Sequence, residues 1–263
     1  MASPEDPVLF EKTGKIGILT LNRPRVMNAV DRAMWLGAAQ AIEEFAHDPR
    51  LRVLIITGAG DRSFCAGSDL KAKAAGELDV TEEMDRWGYA GVVRHFVDKP
   101  VIAAVNGFAL GGGTEIALSC DLVVASEHAT FGLPEALHGL LAGAGGLLRL
   151  PRQIPLKVAM HCILTGASLS AAEALRWGLI NQVVPHAQLL AAAIDMATKI
   201  CAASPGAISA SKQIVYRGLD QSLDFPGEAW AMNDRWVDVV QASDDAREGM
   251  LSFLEKRAPV WKE

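Results

Sequence analysis

The sequence predicts an α/β fold whose strands lie side by side in a parallel sheet. Continuous apolar runs at 51–60, 98–107 and 122–125 are typical of strands that are buried on both faces. Segments with helical spacing separate these runs, so crossover units of strands and helices are expected. The chain has 263 residues, half of them hydrophobic, which is enough to bury one large core without disulfides.

The N-terminal part begins with two strands, 8–12 and 15–22, on either side of a turn at Thr13 and Gly14. An amphipathic helix over 31–46 follows, with Asp31 as its N-cap. After the strand at 51–60, residues 72–84 are small and charged, which is typical of a mobile loop. A further strand is expected to begin at 130–131.

Helical patterns dominate from about residue 152 onward. One short strand is expected in the segment LINQVVP, and helices are expected at 155–164, 170–177, 187–203, 206–218 and 245–256. We therefore predict a core over residues 1–200 that carries the functional site, followed by a helical region over residues 201–263.

Composition and charge argue against several classes of partner. Lys and Arg number 25 and Asp and Glu number 31, a net charge of −6 without a basic stripe, so nucleic acid is not expected as a partner. No run approaches the roughly 18 apolar residues of a membrane helix, and the N-terminus lacks a signal-peptide pattern. The four cysteines show neither CxxC spacing nor histidine companions, so we expect reduced thiols, no metal and a cytoplasmic location.

Three consecutive glycines, 111–113, lie between a strand and a segment with helical spacing. Glycine lets the backbone approach a ligand closely, and the first amides of a helix are unpaired and partly positive. This pattern favours a site for an oxyanion or a phosphate. It is not a P-loop, because no Lys-Ser or Lys-Thr follows, and it lacks the ribose-binding acid of a dinucleotide fold. Tight strand-to-helix packing is the alternative interpretation.

A second loop of small residues, 65–67, also follows a buried strand. Together the two loops would offer two N–H groups to one oxygen, an oxyanion hole in which each donor contributes roughly 3 kcal/mol to the transition state. Two acids stand close to these loops: Glu115 opens an apolar helix, and Glu135 follows Pro134. Near an oxyanion site they would suit general acid/base chemistry, although each alone is also explained by the helix dipole.

At these residues the chain resembles the crotonase (enoyl-CoA hydratase/isomerase) superfamily. The matching motifs occur in the family's order and cover nearly the whole chain. They are LNRPRVMNAV, VLIITGAGDRSFCAGSDL, KPVIAAVNGFALGGGTEIALSCDLVVAS, ATFGLPEALHGLLAGAGGLLRLPR, LTGASLSAAEALRWGLINQVV and FLEKRAPVW.

The resemblance implies a fold, an assembly and a substrate. The fold is the crotonase (ClpP-like) spiral of ββα units with a helical C-terminal trimerisation region, assembled as a homotrimer or as a hexamer built from two trimers. The substrate is an acyl thioester of coenzyme A, and no separate cofactor is needed. The thioester oxygen would accept hydrogen bonds from the amides of Ala66 and Gly112, while Glu115 and Glu135 would hold and activate water.

Further residues match the family's coenzyme A site. Gly143 matches the start of a helix whose dipole polarises the thioester. Lys256 and Arg257 match a tail that reaches the coenzyme A phosphates, sometimes from a neighbouring subunit. The segments that would wrap the pantetheine and adenine contain Arg25, Val26 and Met27, and Ala66, Gly67, Ser68, Asp69 and Leu70.

Both acids of the hydratases are present, so the resemblance favours reversible addition of water to a 2-enoyl-CoA. The sequence motifs most resemble those of the carnitinyl-CoA dehydratase branch. The substrate of that branch carries a trimethylammonium on its acyl group, and such a cation prefers an aromatic face. Trp87, Tyr89 and Phe96 are candidates for that face, with core packing as the alternative. His138 either faces the site or an interface. An isomerase and a non-catalytic acyl-CoA binder are the remaining alternatives.

Overall fold

The computed structural model describes residues 5–222 and 227–261, and its strands form two sheets. The six-stranded sheet has the order β1-β2-β3-β5-β7-β10 and is parallel except for the β1–β2 pair. Its strands are β1 (Val8–Thr13), β2 (Ile16–Leu21), β3 (Val53–Gly58), β5 (Val101–Val105), β7 (Leu122–Ser126) and β10 (Gln182–Val184).

The second sheet has four short strands in the order β4-β6-β8-β9, and only β9 runs antiparallel to its neighbour. These strands are β4 (Ser63–Cys65), β6 (Phe108–Leu110), β8 (Thr130–Gly132) and β9 (Ser168–Ser170).

The helices are α1 (Arg32–His47), α2 (Leu70–Ala74), α3 (Glu82–Arg86), α4 (Gly112–Ser119), α5 (Gly146–Gln153), α6 (Leu156–Thr165), α7 (Ala171–Arg176), α8 (Leu189–Cys201), α9 (Pro205–Gly218), α10 (Glu228–Gln241) and α11 (Asp244–Glu255).

From β3 to β8, consecutive strands alternate between the two sheets. β3 and β4, β5 and β6, and β7 and β8 each place their first member in the large sheet and their second in the small one. One or two helices follow each pair: α2 and α3 after β4, α4 after β6, and α5 and α6 after β8. This repetition is the ββα spiral, and it confirms the predicted α/β class.

The apolar run of β3 is explained by burial on both faces of the large sheet. Leu54 and Ile56 pack in the main core with α1, whereas Val53 and Ile55 pack in a second core beneath α8. All four side chains are fully buried. Such a strand cannot alternate between polar and apolar residues, because neither face meets water.

The structure differs from the sequence prediction mainly in its shortest elements. β4, β6 and β9 have three residues each and no pattern of their own, and α10 was not predicted. Asp31 is confirmed as the N-cap of α1, since its side chain accepts from the Met34 amide at 2.8 Å. The segment 72–84 contains the end of α2 and the start of α3, and buried Leu78 and Met84 anchor it.

The division at residue 200 stays a prediction. In the described ranges every strand precedes it, and α9, α10 and α11 follow it. Within those same ranges, no helix combines the length and apolarity needed to cross a bilayer. The four cysteines are free thiols, and three of them are buried.

Candidate active site

The glycine stretch forms the sharp turn from β6 into α4. Gly111 has a φ of +54° and caps α4, a backbone conformation that favours glycine. The Thr114 hydroxyl lies within hydrogen-bond distance of the carbonyls of Ala109 and Gly132, at 2.7 and 2.9 Å, and accepts from the Gly132 amide at 3.0 Å, so the first turn of α4 is tied to β6 and β8. These hydrogen bonds fix the direction in which the first amides of α4 point.

The two small-residue loops meet at the start of α4, as the sequence predicts. A β-carbon at Gly113 would overlap the carbonyl oxygen of Cys65, and one at Gly67 would lie 3.4 Å from the Gly112 nitrogen. Glycine at both positions therefore allows the backbone of one loop to touch the backbone of the other. The first amides of α4 therefore lie directly beside the loop at 65–67.

The structure corrects one of the two predicted amide donors. The N–H of Ala66 donates to the carbonyl of Met27 at 3.1 Å and is not free. Gly67 has a φ of +91°, which reverses the usual alternation along the strand. As a result, the Gly67 carbonyl and the Asp69 amide bond to Val30, and Ser68 turns its own N–H away from that segment.

Ser68 and Gly112 therefore supply the free amides. Among the described residues, neither N–H has a hydrogen-bond acceptor, and both residues line the same cavity. Gly112 is the first residue of α4, where no carbonyl is available within the helix. The predicted role of Gly112 is compatible with this geometry, whereas the N–H predicted as a donor at Ala66 is already bonded and the free N–H is that of Ser68.

Glu115 is buried in the first turn of α4 and reaches the N-terminus of α5. Its side chain is 3 % exposed, and its Oε1 accepts from the Gly146 amide at 2.8 Å. Its pKa is raised to about 7, chiefly by burial and to a smaller extent by the nearby Glu135, while the Gly146 hydrogen bond opposes the shift. A carboxyl group with a pKa near neutrality can both take up and release a proton.

Glu135 lies in the 3₁₀ turn Pro134–His138 and faces the start of α4. Its Oε2 is buried and has no hydrogen-bond partner among the described residues. Burial raises its pKa above the ordinary value of 4.5. A buried carboxylate oxygen without a partner is uncommon in proteins and points to a ligand or a water at this place.

A cavity of about 410 Å³ brings the two carboxylates and the two free amides together. It continues into a groove of about 560 Å³, because Ala66, Ser68 and Leu70 line both. Val26 and Asp69 line the groove. The remaining predicted residues on the cavity wall are Gly67, Gly112, Glu115, Glu135 and Gly143.

Four residues assigned to coenzyme A lie outside the cavity and the groove. Arg25 and Met27 flank Val26 but line neither. Arg257 pairs with Glu248 at 2.9 Å on α11, and Lys256 caps that helix. In the described part of this single chain they do not meet the site, so a contribution from a neighbouring subunit stays a prediction.

The helix expected from Gly143 begins three residues later, at Gly146. Gly145 has a φ of +107°, so the chain turns there before α5 starts. Gly143 itself lines the cavity. The first amide of α5 donates to Glu115, and the α5 N-terminus therefore acts on this carboxyl group.

Of the other candidates, His138 and Tyr89 line the cavity. Trp87 is stacked on His95 with ring centres 3.7 Å apart, and Phe96 packs edge-on against Tyr216. Of the two positions expected for His138, at the site or at an interface, the structure shows the first, because His138 lines the cavity. Of the three aromatic candidates, Tyr89 is the one that lines the cavity.

The raised pKa of Glu115 predicts a pH-dependent stability. Between pH 4.5 and about 7 the folded state holds a proton that the unfolded state has lost, so the free energy of unfolding falls as pH rises through this window. Relative to Glu115→Gln, the wild type is expected to lose up to about 3 kcal/mol between pH 5 and pH 8. Urea unfolding of both proteins at these two pH values measures the difference, and a constant difference would contradict the raised pKa.

The spiral and the free amides that share a cavity with two glutamate carboxylates define an enzyme of the crotonase class. The family model described as "Enoyl-CoA hydratase/isomerase" matches residues 11–263, and the chain belongs to this family. The family predicted from the sequence motifs is therefore confirmed.

Individual relatives are similar over nearly their full length. The chain is 43 % identical to a carnitinyl-CoA dehydratase of Salmonella typhi, over 95 % of this chain and 96 % of that protein. Its structure is similar to that of an enoyl-CoA hydratase from Mycobacterium tuberculosis H37Rv, with a TM-score of 0.92, 43 % identity, and coverage of 98 % and 99 % of the two chains. A carnitinyl-CoA dehydratase from Mycobacterium avium 104 has a TM-score of 0.79 and 48 % identity, with coverage of 97 % and 98 %.

Proposed function

We propose that this enzyme adds water reversibly to the double bond of a 2-enoyl-CoA through an enolate held in an oxyanion hole. The observation that carries the proposal is the meeting of two free amides, at Ser68 and Gly112, with two glutamate carboxyl groups in one cavity, one of them buried and the other half-buried. Carboxyl groups with raised pKa values can exchange protons near neutral pH, and free amides stabilise a developing oxygen anion.

The reaction requires one carboxylate and one carboxylic acid. The ionised glutamate takes a proton from water as the water oxygen bonds to the β-carbon of the enoyl group. The π electrons move to the thioester oxygen, where the amides of Ser68 and Gly112 donate to the enolate. The other glutamate, which was protonated from the start, then gives its proton to the α-carbon. The elements of one water molecule have thereby been added to the double bond. Glu115 and Glu135 fill these two roles.

The groove beside the cavity supports a site for the coenzyme A part of the substrate, formed by Val26, Asp69 and Leu70. Coenzyme A enters as part of the substrate, and the proposed chemistry uses no other cofactor. The free thiols support a reducing, cytoplasmic setting.

We also propose a homotrimer, or a hexamer of two trimers. Large apolar side chains stand exposed on the C-terminal helices and on α5 and α6, and a monomer would leave them in water. Their exposed fractions reach 81 % at Phe253 and 76 % at Leu254, and the set includes Met250, Leu251, Leu148, Leu156 and Leu164.

Carnitinyl-CoA dehydration is the second candidate, because relatives of that name are similar over almost the whole chain. Tyr89 would offer an aromatic face to its trimethylammonium group. The test is the loss of the ultraviolet absorbance of the conjugated thioester, with crotonyl-CoA and crotonobetainyl-CoA in parallel. We expect loss with crotonyl-CoA. Loss with crotonobetainyl-CoA alone would select the second candidate, and α-proton exchange without loss of absorbance would indicate an isomerase.

Binding of both thioesters without reaction or proton exchange would contradict the proposal and favour a non-catalytic binder. A saturated analogue, butyryl-CoA, measures binding separately from turnover. The buried Glu115 and the buried, unpartnered Oε2 of Glu135 argue against a pure binder, because burying carboxyl oxygens costs free energy that binding alone does not require.

A further inference from the structure

Tyr89 enters the catalytic cavity from the segment between α3 and β5. Its Oη lies 3.4 Å from the Ser68 Oγ. A β-carbon at Gly112 would lie 2.6 Å from the same Oη, so the phenol ring rests directly on the Gly112 α-carbon. The hydroxyl therefore stands between the two residues whose amides are free.

The backbone around Tyr89 is strained, and tight packing maintains it. Gly88, Ala90 and Gly91 have φ values of +66°, +56° and +68°, and Ala90 is a fully buried non-glycine residue in the left-handed region. A β-carbon at Gly91 would lie 2.6 Å from the Ala39 Cβ, so the turn presses against α1. Strain of this kind persists where the surroundings determine the conformation, and it often occurs at functional sites.

The ring of Tyr89 is also held from its other side. The Trp35 ring meets it edge-on, with centres 5.1 Å apart, and the Trp35 Nε1 donates to the carbonyl of Met84 at 3.1 Å. Trp35 is itself 4 % exposed. The position of the hydroxyl is therefore set by α1 and by the turn, before any ligand binds.

We propose that the Tyr89 hydroxyl is a third hydrogen-bond donor to the thioester oxygen, beside the amides of Ser68 and Gly112. The proposal rests on the acyl-thioester function proposed above and makes Tyr89 a catalytic residue. Within the described residues the Tyr89 oxygen accepts one hydrogen bond, from Ser68 Oγ, and the hydroxyl donates none, so its own proton is available to a ligand oxygen. A preorganised donor acts most strongly as negative charge develops on that oxygen.

The surroundings keep the hydroxyl in its donor form. Burial raises the pKa of Tyr89 well above 10, and the neighbouring Cys65, Glu115 and Glu135 raise it further. The phenol therefore stays protonated throughout the pH range in which the glutamates exchange protons.

Tyr89→Phe removes the hydroxyl and keeps the ring against Trp35. We expect kcat for crotonyl-CoA hydration to fall about 10- to 100-fold with little change in KM, because the lost donor acts mainly in the transition state. Tyr216→Phe is the matched control: the chain has two tyrosines, and Tyr216 lines a different cavity, beside Phe96 and Lys212. Its kcat should equal that of the wild type.

A second readout is independent of turnover. In the infrared difference spectrum of bound butyryl-CoA labelled with ¹³C at the thioester carbonyl, loss of a donor should move the carbonyl band to higher frequency in Tyr89→Phe. An unchanged band together with an unchanged kcat would overturn the proposal, as would a rise in KM alone. If the wild type hydrates no enoyl-CoA, the hydration mechanism fails, but the carbonyl band still tests the donor.

Discussion

Glu115→Gln is expected to lower kcat for enoyl-CoA hydration at least a thousandfold, near the upper part of the range of about 10² to 10⁴ for a general acid or base. The amide cannot take up or release a proton near neutral pH. Its oxygen can still accept from the Gly146 amide, which now lies 2.8 Å from Glu115 Oε1. The start of α5 should therefore stay in place, and the loss should be chemical.

The measurement combines stopped-flow absorbance with crotonyl-CoA and calorimetric binding of butyryl-CoA. Binding should stay close to that of the wild type. Glu127→Gln makes the same change at an exposed side chain away from the cavity and should leave kcat unaltered.

Glu135→Gln should also reduce kcat strongly, because its unpartnered Oε2 faces the same cavity. Near-normal rates in both cavity variants would contradict the acid/base assignment.

The parts of the site that local sequence could predict are those fixed within a single turn. Gly112 and Glu115 stand three residues apart at the start of one helix, so their proximity follows from helix geometry once the glycine turn is recognised. Glu135 was identified by its place after Pro134 in a motif. Its convergence with Glu115, however, depends on the sheet that carries β6 and β8.

The choice between Ala66 and Ser68 could not be made from residue types alone. Both are small and lie in one extended segment, where amides two residues apart ordinarily point the same way. The left-handed turn at Gly67 breaks this rule, and the bridge between Val30 and Ser68 shows the result. A glycine between two candidate donors is the signal that would have raised the question.

Tyr89 illustrates a different limit of sequence reasoning. Its ring was predicted as a possible face for a cationic acyl group, but its contact with Gly112 brings together residues from separate segments. Gly88, Ala90 and Gly91 all have positive φ values. No local sequence pattern indicates where the side chain of Tyr89, which lies among them, points. The C-terminal Lys256 and Arg257 are further removed still, because they are predicted to reach the coenzyme A phosphates, sometimes from a neighbouring subunit, and a single chain does not test this.

Gly113→Ala is expected to have the largest effect on stability. The new β-carbon would overlap the carbonyl oxygen of Cys65, which is backbone of β4 and cannot rotate away. α4 would have to move off β4, and we expect the free energy of unfolding to fall by about 3 kcal/mol or more. Because Gly112 and Glu115 lie on the same turn, kcat should fall as well.

Two matched glycine variants separate the causes of this loss. Gly218→Ala places a methyl group where no atom lies within 4 Å, at the end of α9, and should be neutral or slightly stabilising. Gly112→Ala meets the Tyr89 side chain and not backbone, so it should cost less stability than Gly113→Ala, and by displacing the Tyr89 ring it should still lower kcat. Urea unfolding and hydration kinetics of the three variants give this order. If Gly113→Ala were as stable as the wild type, the contact between α4 and β4 that positions the two amides would be wrong.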